Sequence, residues 1–553
     1  MSRMQSVHIS EKANPAFYAH FSRFQPNMDI YEQQGQDITA SDMLVPDEDS
    51  DIKRFYKDSC VFITGATGFL GKLAVEKLLR ICPDVKKIFI LLREKKGKDI
   101  KQRFEDIFKE PTFDHLKRHN PDFLQKVCPV VGDISLPDLG LNELDKEGLM
   151  REVDCVLHFA ATVRFDESLK MATYINVRGV RDLILLAKQM KKLRAFLHVS
   201  TAFSNCNRQE IDEMFYDPPI TSDKLLDLVE CLDDDQLNAI TKTVLKDFPN
   251  TYAFTKCVAE DVVRKEGQSL PIALYRPSIV IATVKEPVAG WIDNVYGATG
   301  VLLGAAVGLL RTLHGNKEKR AEMVPADYVI NSCLAATWDI ATIKSLNENK
   351  EIQDQESREE KFVREIPVYN YVSTPENPLT WAEFSHLSRK HCLQIPSEKV
   401  MWHSMFRMRS NYYEHMLAVF FLHTIPAHLV DFILLCLRKK PMLVDGYKKI
   451  NKFSEVLAYF TNRDWKFRND NVQALWKRMK KHDQELFDFD IQKLNWDAYF
   501  FTYTRGARVY LLKDPLDTIP QGTVKYYKLL LAHYAVLAVF WLLVLRLVVW
   551  VFI

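Results

Sequence analysis

Between residues 60 and 277, short apolar runs alternate with longer stretches whose apolar residues recur at three- and four-residue spacing. The short runs are continuously apolar, which is typical of strands buried on both faces of a parallel sheet. The longer stretches predict amphipathic helices that cover those faces. This alternation predicts a doubly wound α/β fold. The predicted strands are CVFITG (60–65), KIFILLR (87–93), KVCPVVG (126–132), VDCVLHFAA (153–161), AFLHVS (195–200) and IALYRP (272–277).

The first predicted strand runs directly into a glycine-rich turn, and a helix pattern begins at the same point. Glycines there permit a tight turn, a close approach of the backbone to a pyrophosphate, and close packing of the helix on the sheet. The amide groups at the helix N-terminus favour phosphate. The sequence therefore predicts a Rossmann dinucleotide site. Its predicted residues are Thr64, Gly65, Thr67, Gly68, Phe69, Leu70 and Gly71.

Residues at the ends of the next three predicted strands complete the dinucleotide site. An NAD-selective site usually has an acidic residue after the second strand, where this chain has Arg93. A guanidinium suits a ribose 2′-phosphate, so NADPH is the predicted cofactor, although the adjacent Glu94 weakens this inference. Asp133 is expected to accept a hydrogen bond from the adenine amino group, and Ala160 to lie on the nicotinamide side of the crevice.

Tyr252 and Lys256 form a YxxxK motif, which places a phenol and an ammonium on one helix face. A free phenol has a pKa near ~10, and a nearby ammonium is expected to lower it. Tyr252 would then donate a proton to a developing oxyanion, while Lys256 could also bind the nicotinamide ribose. This order of glycine turn, fifth strand and YxxxK predicts a reductase of a carbonyl group.

A hydroxyl at the end of the fifth predicted strand is expected to hold the substrate carbonyl oxygen together with the phenol. Ser200 and Thr201 are the two candidates, and either could instead bond to the backbone at the strand end. Asn176 is a further candidate for placing the lysine, with a structural hydrogen bond as the equal alternative. The sequence offers no Cys/His cluster at zinc spacing, so no metal site is predicted.

Composition divides the chain into four predicted segments. Residues 1–55 are a polar, flexible extension, 56–395 a dinucleotide-binding domain with a substrate-binding part, and 396–515 a helical domain. Residues 527–553 are a transmembrane tail anchor. Its almost wholly apolar part, 529–553, is about 37 Å long as a helix, and Lys525 and Lys528 before that part favour the cytosolic side. A charged stretch at 345–362 is predicted to be a loop or linker.

The net charge and a second apolar stretch bear on which partners the protein binds. The formal net charge is only +2, which disfavours nucleic acid as a partner. The apolar stretch 416–437 is interrupted by polar residues, and three interpretations stay open for it. It is a kinked helix in the membrane interface, a helix lining an acyl-chain entrance, or a helical hairpin of the core.

The ten scattered cysteines are expected to be reduced.

The glycine spacing GxxGxxG resembles the extended short-chain dehydrogenase/reductases, and longer stretches are similar to animal fatty acyl-CoA reductases in particular. The resemblance covers about 55 to 515, with Phe203 standing where many relatives carry tyrosine. The stretches that carry it are GATGFLGK (65–72), HFAATVRFDE (158–167), HVSTAFSN (198–205), RPSIVIATVKEPVAGWIDN (276–294), MVPADYVIN (323–331), LAVFFLHTIPAHLVD (417–431), FSEVLAYFTNRDWKF (453–467) and YTRGARVYLLKD (503–514).

The resemblance implies NADPH-dependent reduction of long-chain fatty acyl-CoA to a primary fatty alcohol through an aldehyde. It favours Thr201 over Ser200 as the active-site hydroxyl. It also implies an enzyme anchored in the endoplasmic reticulum or the peroxisomal membrane, with its catalytic domain in the cytosol. A membrane-bound sterol dehydrogenase would share the glycine turn and YxxxK but not the helical domain. A scaffold without activity would have no need of Tyr252 and Lys256.

Overall fold

The computed structural model of the protein describes residues 49–95, 97–353 and 365–552. Its strands are β1 (Cys60–Thr64), β2 (Lys87–Leu92), β3 (Val127–Val131), β4 (Cys155–His158), β5 (Ala195–Val199), β6 (Glu210–Ile211), β7 (Ile272–Pro277), β8 (Ile279–Ile281), β9 (Thr312–His314), β10 (Met323–Pro325), β11 (Val368–Tyr371), β12 (Arg407–Arg409) and β13 (Lys466–Phe467).

Seven strands form one parallel sheet in the order β11-β7-β5-β4-β1-β2-β3. Six of them are the predicted strands, so the prediction of a doubly wound parallel sheet is confirmed. The order reverses between β1 and β4, which opens a crevice at the carboxyl edge. The seventh strand, β11, was not predicted. It is only four residues long and pairs with β7 at the edge of the sheet.

Helices cover both faces of the sheet, and further helices fill the C-terminal part. They are α1 (Asp51–Tyr56), α2 (Phe69–Ile81), α3 (Ile100–Phe108), α4 (Asp114–His119), α5 (Glu143–Glu152), α6 (Leu169–Thr173), α7 (Gly179–Ala187), α8 (Ser222–Cys231), α9 (Asp234–Leu245), α10 (Thr251–Glu266), α11 (Ala298–Ala306), α12 (Ala326–Gln353), α13 (Trp381–Gln394), α14 (Tyr412–Val419), α15 (Ile425–Cys436), α16 (Leu443–Thr461), α17 (Asp470–Arg478), α18 (Lys481–Leu486), α19 (Trp496–Gly506) and α20 (Ile519–Phe552).

Parts of two segments that were predicted to be an extension and a loop are helical in the structure. Helix α1 buries Ile52 and Tyr56, so the last residues of the predicted extension belong to the folded part. Residues 1–48 lie outside the described residues. Helix α12 continues through Gln353, so the prediction of a loop at 345–362 is wrong as far as residue 353, and 354–362 lie outside the described residues.

The C-terminal helices pack closely on the sheet domain. Strands β12 and β13, which the helical prediction for this region did not include, pair in parallel with β9 and β6. Buried hydroxyls also join the two parts: Tyr371 donates to the Phe489 carbonyl at 2.8 Å, and Tyr499 donates to that of Ala282 at 2.6 Å. These contacts join the sheet domain and the C-terminal helices into one packed body. The predicted domain boundary between residues 395 and 396 therefore stays a prediction.

Two helical segments are long and apolar enough to cross a membrane. One is Tyr412–Cys436, formed by α14, a π-helical turn (Phe420–Thr424) and α15, with a mean hydropathy of 1.8. The other is Leu516–Trp550, with a mean hydropathy of 2.1 and an apolar window that has no buried residue. The predicted C-terminal apolar helix is therefore present as α20, which has the length that a membrane span requires.

Candidate active site

The glycine turn between β1 and α2 has no room for side chains. Gly65 has a φ of 77°, and a Cβ there would lie 2.7 Å from the Ala160 amide nitrogen. A Cβ at Gly71 would overlap the Gly65 carbonyl oxygen. Gly68 caps α2 without a side-chain hydrogen bond, which leaves amide donors of the first helical turn facing the crevice. The turn thus has the bare backbone and the positive helix end that a pyrophosphate requires.

The other residues of the predicted turn lie at the end of β1, in the turn itself and at the start of α2. Thr64 is buried at the end of β1, and its hydroxyl lies 2.5 Å from His158 Nδ1 and accepts from the Ala160 amide at 3.4 Å. Thr67 lies in the turn, whereas Phe69 and Leu70 begin α2 and pack against the core. Thr64 therefore ties the end of β1 to the end of β4, on the two sides of the crevice.

Arg93 and Asp133 contact each other at the far end of the crevice. Arg93 Nη1 donates to Asp133 Oδ2 at 3.2 Å, and Asp133 Oδ1 accepts from the amide and hydroxyl of Ser135. Burial opposes the charge of Asp133, but the bonds from Ser135 and Arg93 prevail and lower its pKa. Arg103, from α3, also lies here and donates to the Arg93 carbonyl. The sequence analysis missed Arg103, since it belongs to no motif and lies ten residues further along the chain.

Tyr252 lies on the first turn of α10, beside Thr201, the second residue after β5. Asn250 caps this helix by accepting from the Ala253 amide at 2.9 Å, which fixes where the YxxxK turn begins. Burial raises the pKa of Tyr252 to about 12, and a hydrogen bond with Thr201 lowers it in part. The structure therefore brings the predicted phenol to the Thr201 hydroxyl at the carboxyl end of β5.

Lys256 is buried one turn further along α10, and its Nζ donates to the Val199 carbonyl at 2.8 Å. Burial lowers the pKa of Lys256 to about 8, and the Glu260 carboxylate opposes that shift. The expected net lowering of the Tyr252 pKa is wrong, because burial of the phenol raises that pKa and only the hydrogen bond with Thr201 opposes the rise. Tyr252 is therefore a protonated donor throughout the neutral range.

Ser200 has a different environment from Thr201. Its hydroxyl donates to Glu260 at 2.6 Å. Glu260 also accepts from Asn205 at 3.1 Å and from two guanidinium nitrogens of Arg276, at 2.9 and 2.6 Å. Thr201 instead caps the short 3₁₀ turn Ala202–Asn205 by accepting from the Phe203 amide. Of the two predicted hydroxyls, the structure places Thr201 with the phenol and Ser200 in a buried ion-pair network.

Asn176 lies fully buried in a π-helical turn, Tyr174–Arg178. Its amide donates to the Thr255 hydroxyl at 2.9 Å and to the Thr162 carbonyl at 3.3 Å, and its oxygen accepts from the Thr162 amide at 3.0 Å. These bonds hold the loop after β4 against α10. The structural interpretation of Asn176 therefore accounts for every hydrogen bond that this side chain makes in the structure.

Two buried histidines on the neighbouring strands β4 and β5 lie near Lys256. The rings of His158 and His198 are 5.1 Å apart between centroids, and both are fully buried. Burial and the Lys256 charge lower the pKa of His158 to about 3 and that of His198 well below its usual range. Both rings are therefore neutral. The sequence analysis gave them no role, because a histidine inside an apolar strand carries no signal of the cation beside it.

The residues present fit a nicotinamide dinucleotide. The glycine turn has the space and the donors for the pyrophosphate, Arg93 and Asp133 lie at the end of β2 and β3, and Ala160 lines the opposite side of the crevice. Among the described residues, no group of three or more histidine, cysteine, aspartate or glutamate side chains is arranged to hold a metal ion. All ten cysteines are unpaired thiols.

Comparison with protein families gives two matches that share one description. A model of the NAD-binding part of the male sterility proteins matches residues 63–333, and a second male sterility model matches residues 422–514. The first covers most of the sheet, without β11, and the second covers most of the C-terminal helices. The family match therefore supports a nicotinamide cofactor for this chain.

Solved structures show the same fold. The terminal R domain of the myxalamid PKS-NRPS pathway matches with a TM-score of 0.52 at 18% identity, over 85% of this chain and 96% of that one. The R domain of a non-ribosomal peptide synthetase from Mycobacterium tuberculosis gives a TM-score of 0.50 at 16% identity, over 89% and 97%. At this identity the comparison supports the fold alone.

Curated relatives cover nearly the whole chain. The fatty acyl-CoA reductase wat of Drosophila melanogaster is 42% identical over 494 residues, which are 89% of this chain and 92% of that protein. Fatty acyl-CoA reductase 1 of Rattus norvegicus is 38% identical, over 85% and 88%. With this identity and coverage, and with the crevice described above, the chain is an oxidoreductase that belongs to the fatty acyl-CoA reductase family.

Proposed function

We propose that the protein reduces long-chain fatty acyl-CoA to a primary fatty alcohol, with NADPH as the hydride donor and CoA as the second product. The observation that carries this proposal is the contact between Tyr252 and Thr201 at the end of β5. Two hydroxyl donors that converge at one point can hold one carbonyl oxygen while it gains negative charge. The fatty acyl substrate comes from the family, and the crevice supports the reaction type.

The choice of NADPH over NADH rests on two guanidinium groups at the end of β2. Arg93 is largely exposed, and Arg103 donates to its carbonyl, so two positive charges lie where the ribose 2′-position is expected. Burial and the Arg93 charge lower the pKa of Arg103, which stays protonated at neutral pH. A 2′-phosphate would relieve the repulsion between these cations, whereas a 2′-hydroxyl would not.

The mechanism needs two hydride transfers, and the bound nicotinamide supplies each hydride. In the first, Tyr252 and Thr201 hold the thioester oxygen, and the phenol protonates it to give a hemithioacetal. Collapse of that intermediate breaks the carbon–sulfur bond and releases CoA and an aldehyde. In the second, the same two residues hold the aldehyde oxygen until it becomes the alcohol. Two NADPH and two protons are consumed for each alcohol formed.

Lys256 is proposed to bind the nicotinamide ribose and to keep the phenol region positive. Its burial and its bond to the Val199 carbonyl fix the ammonium below Tyr252 on the same helix face. Ser200 is proposed to act in the ion-pair network rather than on the substrate, since its hydroxyl already donates to Glu260. Thr201 is therefore the proposed active-site hydroxyl.

The C-terminal helix α20 is proposed to anchor the protein in the membrane of the endoplasmic reticulum or the peroxisome. Its apolar window is unburied, and Lys525 and Lys528 are exposed just before it. Positive residues favour the cytosolic side, which places the crevice in the cytosol. Long acyl chains partition into membranes at about 0.8 kcal/mol per buried CH₂, so an anchor keeps the enzyme beside its substrate.

The proposal is tested with the full-length protein in detergent, with palmitoyl-CoA and either NADPH or NADH. The products are measured by gas chromatography and the cofactor by its absorbance. We expect hexadecanol and free CoA, two NADPH oxidised for each alcohol, and a much slower reaction with NADH. Absence of any acyl-CoA-dependent oxidation would contradict the proposed reaction. An aldehyde as the final product, with one NADPH consumed, would contradict the second reduction.

A further inference from the structure

The helical segment from residue 412 to 437 buries only one side. Its buried residues recur at intervals of four, which is one face of a helix. Those on the buried face are His415, Val419, His423, Ala427 and Asp431. The three buried polar groups of the segment, His415, His423 and Asp431, lie on this face, whereas His428 is exposed.

The buried polar groups are bonded to the rest of the protein along the length of the segment. His415 Nδ1 lies 3.0 Å from the Thr312 hydroxyl, and His423 Nε2 accepts from the Arg311 amide at 3.1 Å. Asp431 accepts from the amides of residues 442 to 444, each at 2.9 Å. A helix that crossed the bilayer would have to break these bonds, so they hold the segment along the protein surface.

The opposite side is a row of large apolar side chains without protein cover. Leu417, Phe421, Leu429, Phe432 and Ile433 are between 54% and 64% exposed. Soluble monomers rarely expose a continuous apolar surface of this kind, and such surfaces mark sites of interaction. We call the exposed side of residues 412–437 the apolar face.

The apolar face lies on the side of the protein from which α20 departs. The His533 ring of α20 is 6.2 Å from Trp402 and 5.3 Å from His403 between centroids. The backbone amide of Trp402 donates to the Val307 carbonyl at 3.3 Å. Four residues later, Arg311 Nη1 donates to the Leu422 carbonyl at 2.8 Å. One short segment, 307–311, therefore joins the first turns of the proposed anchor to the middle of residues 412–437.

Exposed cations border both helices. Arg438, Lys439 and Lys440 follow the apolar face directly, and Lys525 and Lys528 precede the anchor. An apolar helix face with basic residues at its edge is the pattern of a helix that lies in a bilayer interface beside anionic headgroups. The charges therefore favour a lipid surface over a second protein as the occupant.

We propose that the apolar face lies in the membrane interface, parallel to the bilayer plane, in the leaflet that α20 enters. This inference rests on the proposed anchoring by α20. It gives the enzyme a second attachment beside α20, and two attachments together fix how the crevice faces the membrane.

Helix α16 connects this attachment to the catalytic tyrosine. Near its start, the Tyr447 ring stacks on His423 at 4.7 Å. Near its end, Phe460 lies 6.1 Å from Phe165, which lies 5.9 Å from Tyr252. From Tyr447 to Phe460 the helix extends about 20 Å. These ring contacts link the buried side of residues 412–437 to the proposed catalytic phenol.

The test uses two native cysteines of the full-length chain, because Cys231 and Cys436 are exposed and the other eight are buried or half-buried. The protein is reconstituted in vesicles of phosphatidylcholine and phosphatidylserine, and reacted with a membrane-impermeant maleimide. We expect Cys231 to react at least ten times faster than Cys436, and both to react after unfolding. Equal rates in vesicle-bound protein would overturn the proposal.

Lipid cover is then distinguished from protein cover by a fluorophore attached to the Phe421→Cys variant, near the middle of the segment, in a Cys231→Ser, Cys436→Ser background. Lipids with a quencher near the headgroup should quench it strongly, and lipids with a quencher at the chain end weakly. Strong quenching from the chain end would mean a crossing helix, and no quenching with continued protection would mean a covering protein. Either result would overturn the proposal.

A pair of variants separates this surface from general effects of charge. Leu429→Glu, on the apolar face, should raise the labelling rate of Cys436 in vesicles severalfold, whereas Leu144→Glu, on the exposed surface of the sheet domain, should not. Sedimentation with the vesicles tests the anchor separately. Protein that fails to sediment would remove both proposals, and protein that sediments with a reactive Cys436 would remove this one alone.

Discussion

Two polar regions lie beside helix α10, and they differ in what their side chains bond. The first, the phenol region, consists of Tyr252, Lys256 and Thr201, and the second, the ion-pair region, of Glu260, Arg276 and Ser200. The phenol region has few internal bonds and borders the crevice. The ion-pair region is buried, and its carboxylate accepts four hydrogen bonds.

The difference shows how adjacent residues of the same chemistry take different roles. Ser200 and Thr201 are neighbours, but consecutive residues of an extended chain point to opposite sides. The serine reaches the Glu260 carboxylate, and the threonine reaches the phenol. Because the Ser200 hydroxyl already donates its hydrogen bond to the Glu260 carboxylate, it cannot also donate one to a substrate oxygen. We therefore expect the phenol region to govern turnover and the ion-pair region to govern stability.

The largest effect is expected from Tyr252→Phe. Removal of a positioned proton donor should lower kcat/KM by about 10²- to 10⁴-fold, while the unfolding midpoint stays the same or rises, because a buried phenyl ring needs no partner. Steady-state oxidation of NADPH and thermal unfolding measure the two quantities. The matched control is Tyr369→Phe, which removes a buried hydroxyl bonded to Asp339 and should keep its turnover. Full activity of Tyr252→Phe would end the proposed mechanism.

In the ion-pair region, Glu260→Gln should lower the free energy of unfolding by about 3–5 kcal/mol, since it leaves the buried Arg276 guanidinium without its counter-charge. Chemical denaturation in detergent measures this loss. Glu266→Gln is the control on the same helix, because the Glu266–Lys188 pair is exposed and should contribute only about 0–1 kcal/mol. Similar losses in both variants would contradict the contrast between a buried and an exposed pair.

At the other end of the crevice, Arg93→Ser should raise the KM for NADPH by about tenfold, the equivalent of one charge-assisted hydrogen bond, and leave NADH turnover unchanged. Arg103→Ser should act in the same direction. Arg118→Ser is the control on an exposed helix near the edge strand β3. An equal change with both cofactors would show that Arg93 supports the fold of the site and does not select the phosphate.

The smallest expected effect is a shift of the pH profile. The pKa of Lys256 is lowered to about 8 by burial, and Glu260 opposes that shift. The ammonium is therefore lost as pH rises through about 8, and kcat/KM should fall above that pH. In Glu260→Gln the descending limb should move to lower pH, since the charge that opposes the shift is removed. A limb that stays in place in the variant would show that another group titrates.

The six central strands could be predicted because each is a continuous apolar run, and the glycine turn because its spacing has a steric cause. β11 could not be, since a four-residue strand at a sheet edge carries too little pattern. The net rise of the Tyr252 pKa could not be predicted either, because the burial that causes it is a property of the folded chain.

The sequence also could not show which of the three interpretations of the apolar stretch at 416–437 applies. Its polar residues were visible in the sequence, but their partners at Thr312 and Arg311 lie a hundred residues away. Only the folded chain shows that His415, His423 and Asp431 share the buried side. Pairings at this distance leave no periodic signal in one sequence.

The contrast between the two regions is tested most directly by Thr201→Val and Ser200→Ala, measured side by side for kcat/KM with palmitoyl-CoA and for the midpoint of unfolding. We predict that Thr201→Val loses about 10²-fold in activity with little change in stability. Ser200→Ala should instead lose about 1 kcal/mol of stability and keep its activity. The reverse pattern, with Ser200→Ala inactive and Thr201→Val active, would contradict the assignment of the active-site hydroxyl.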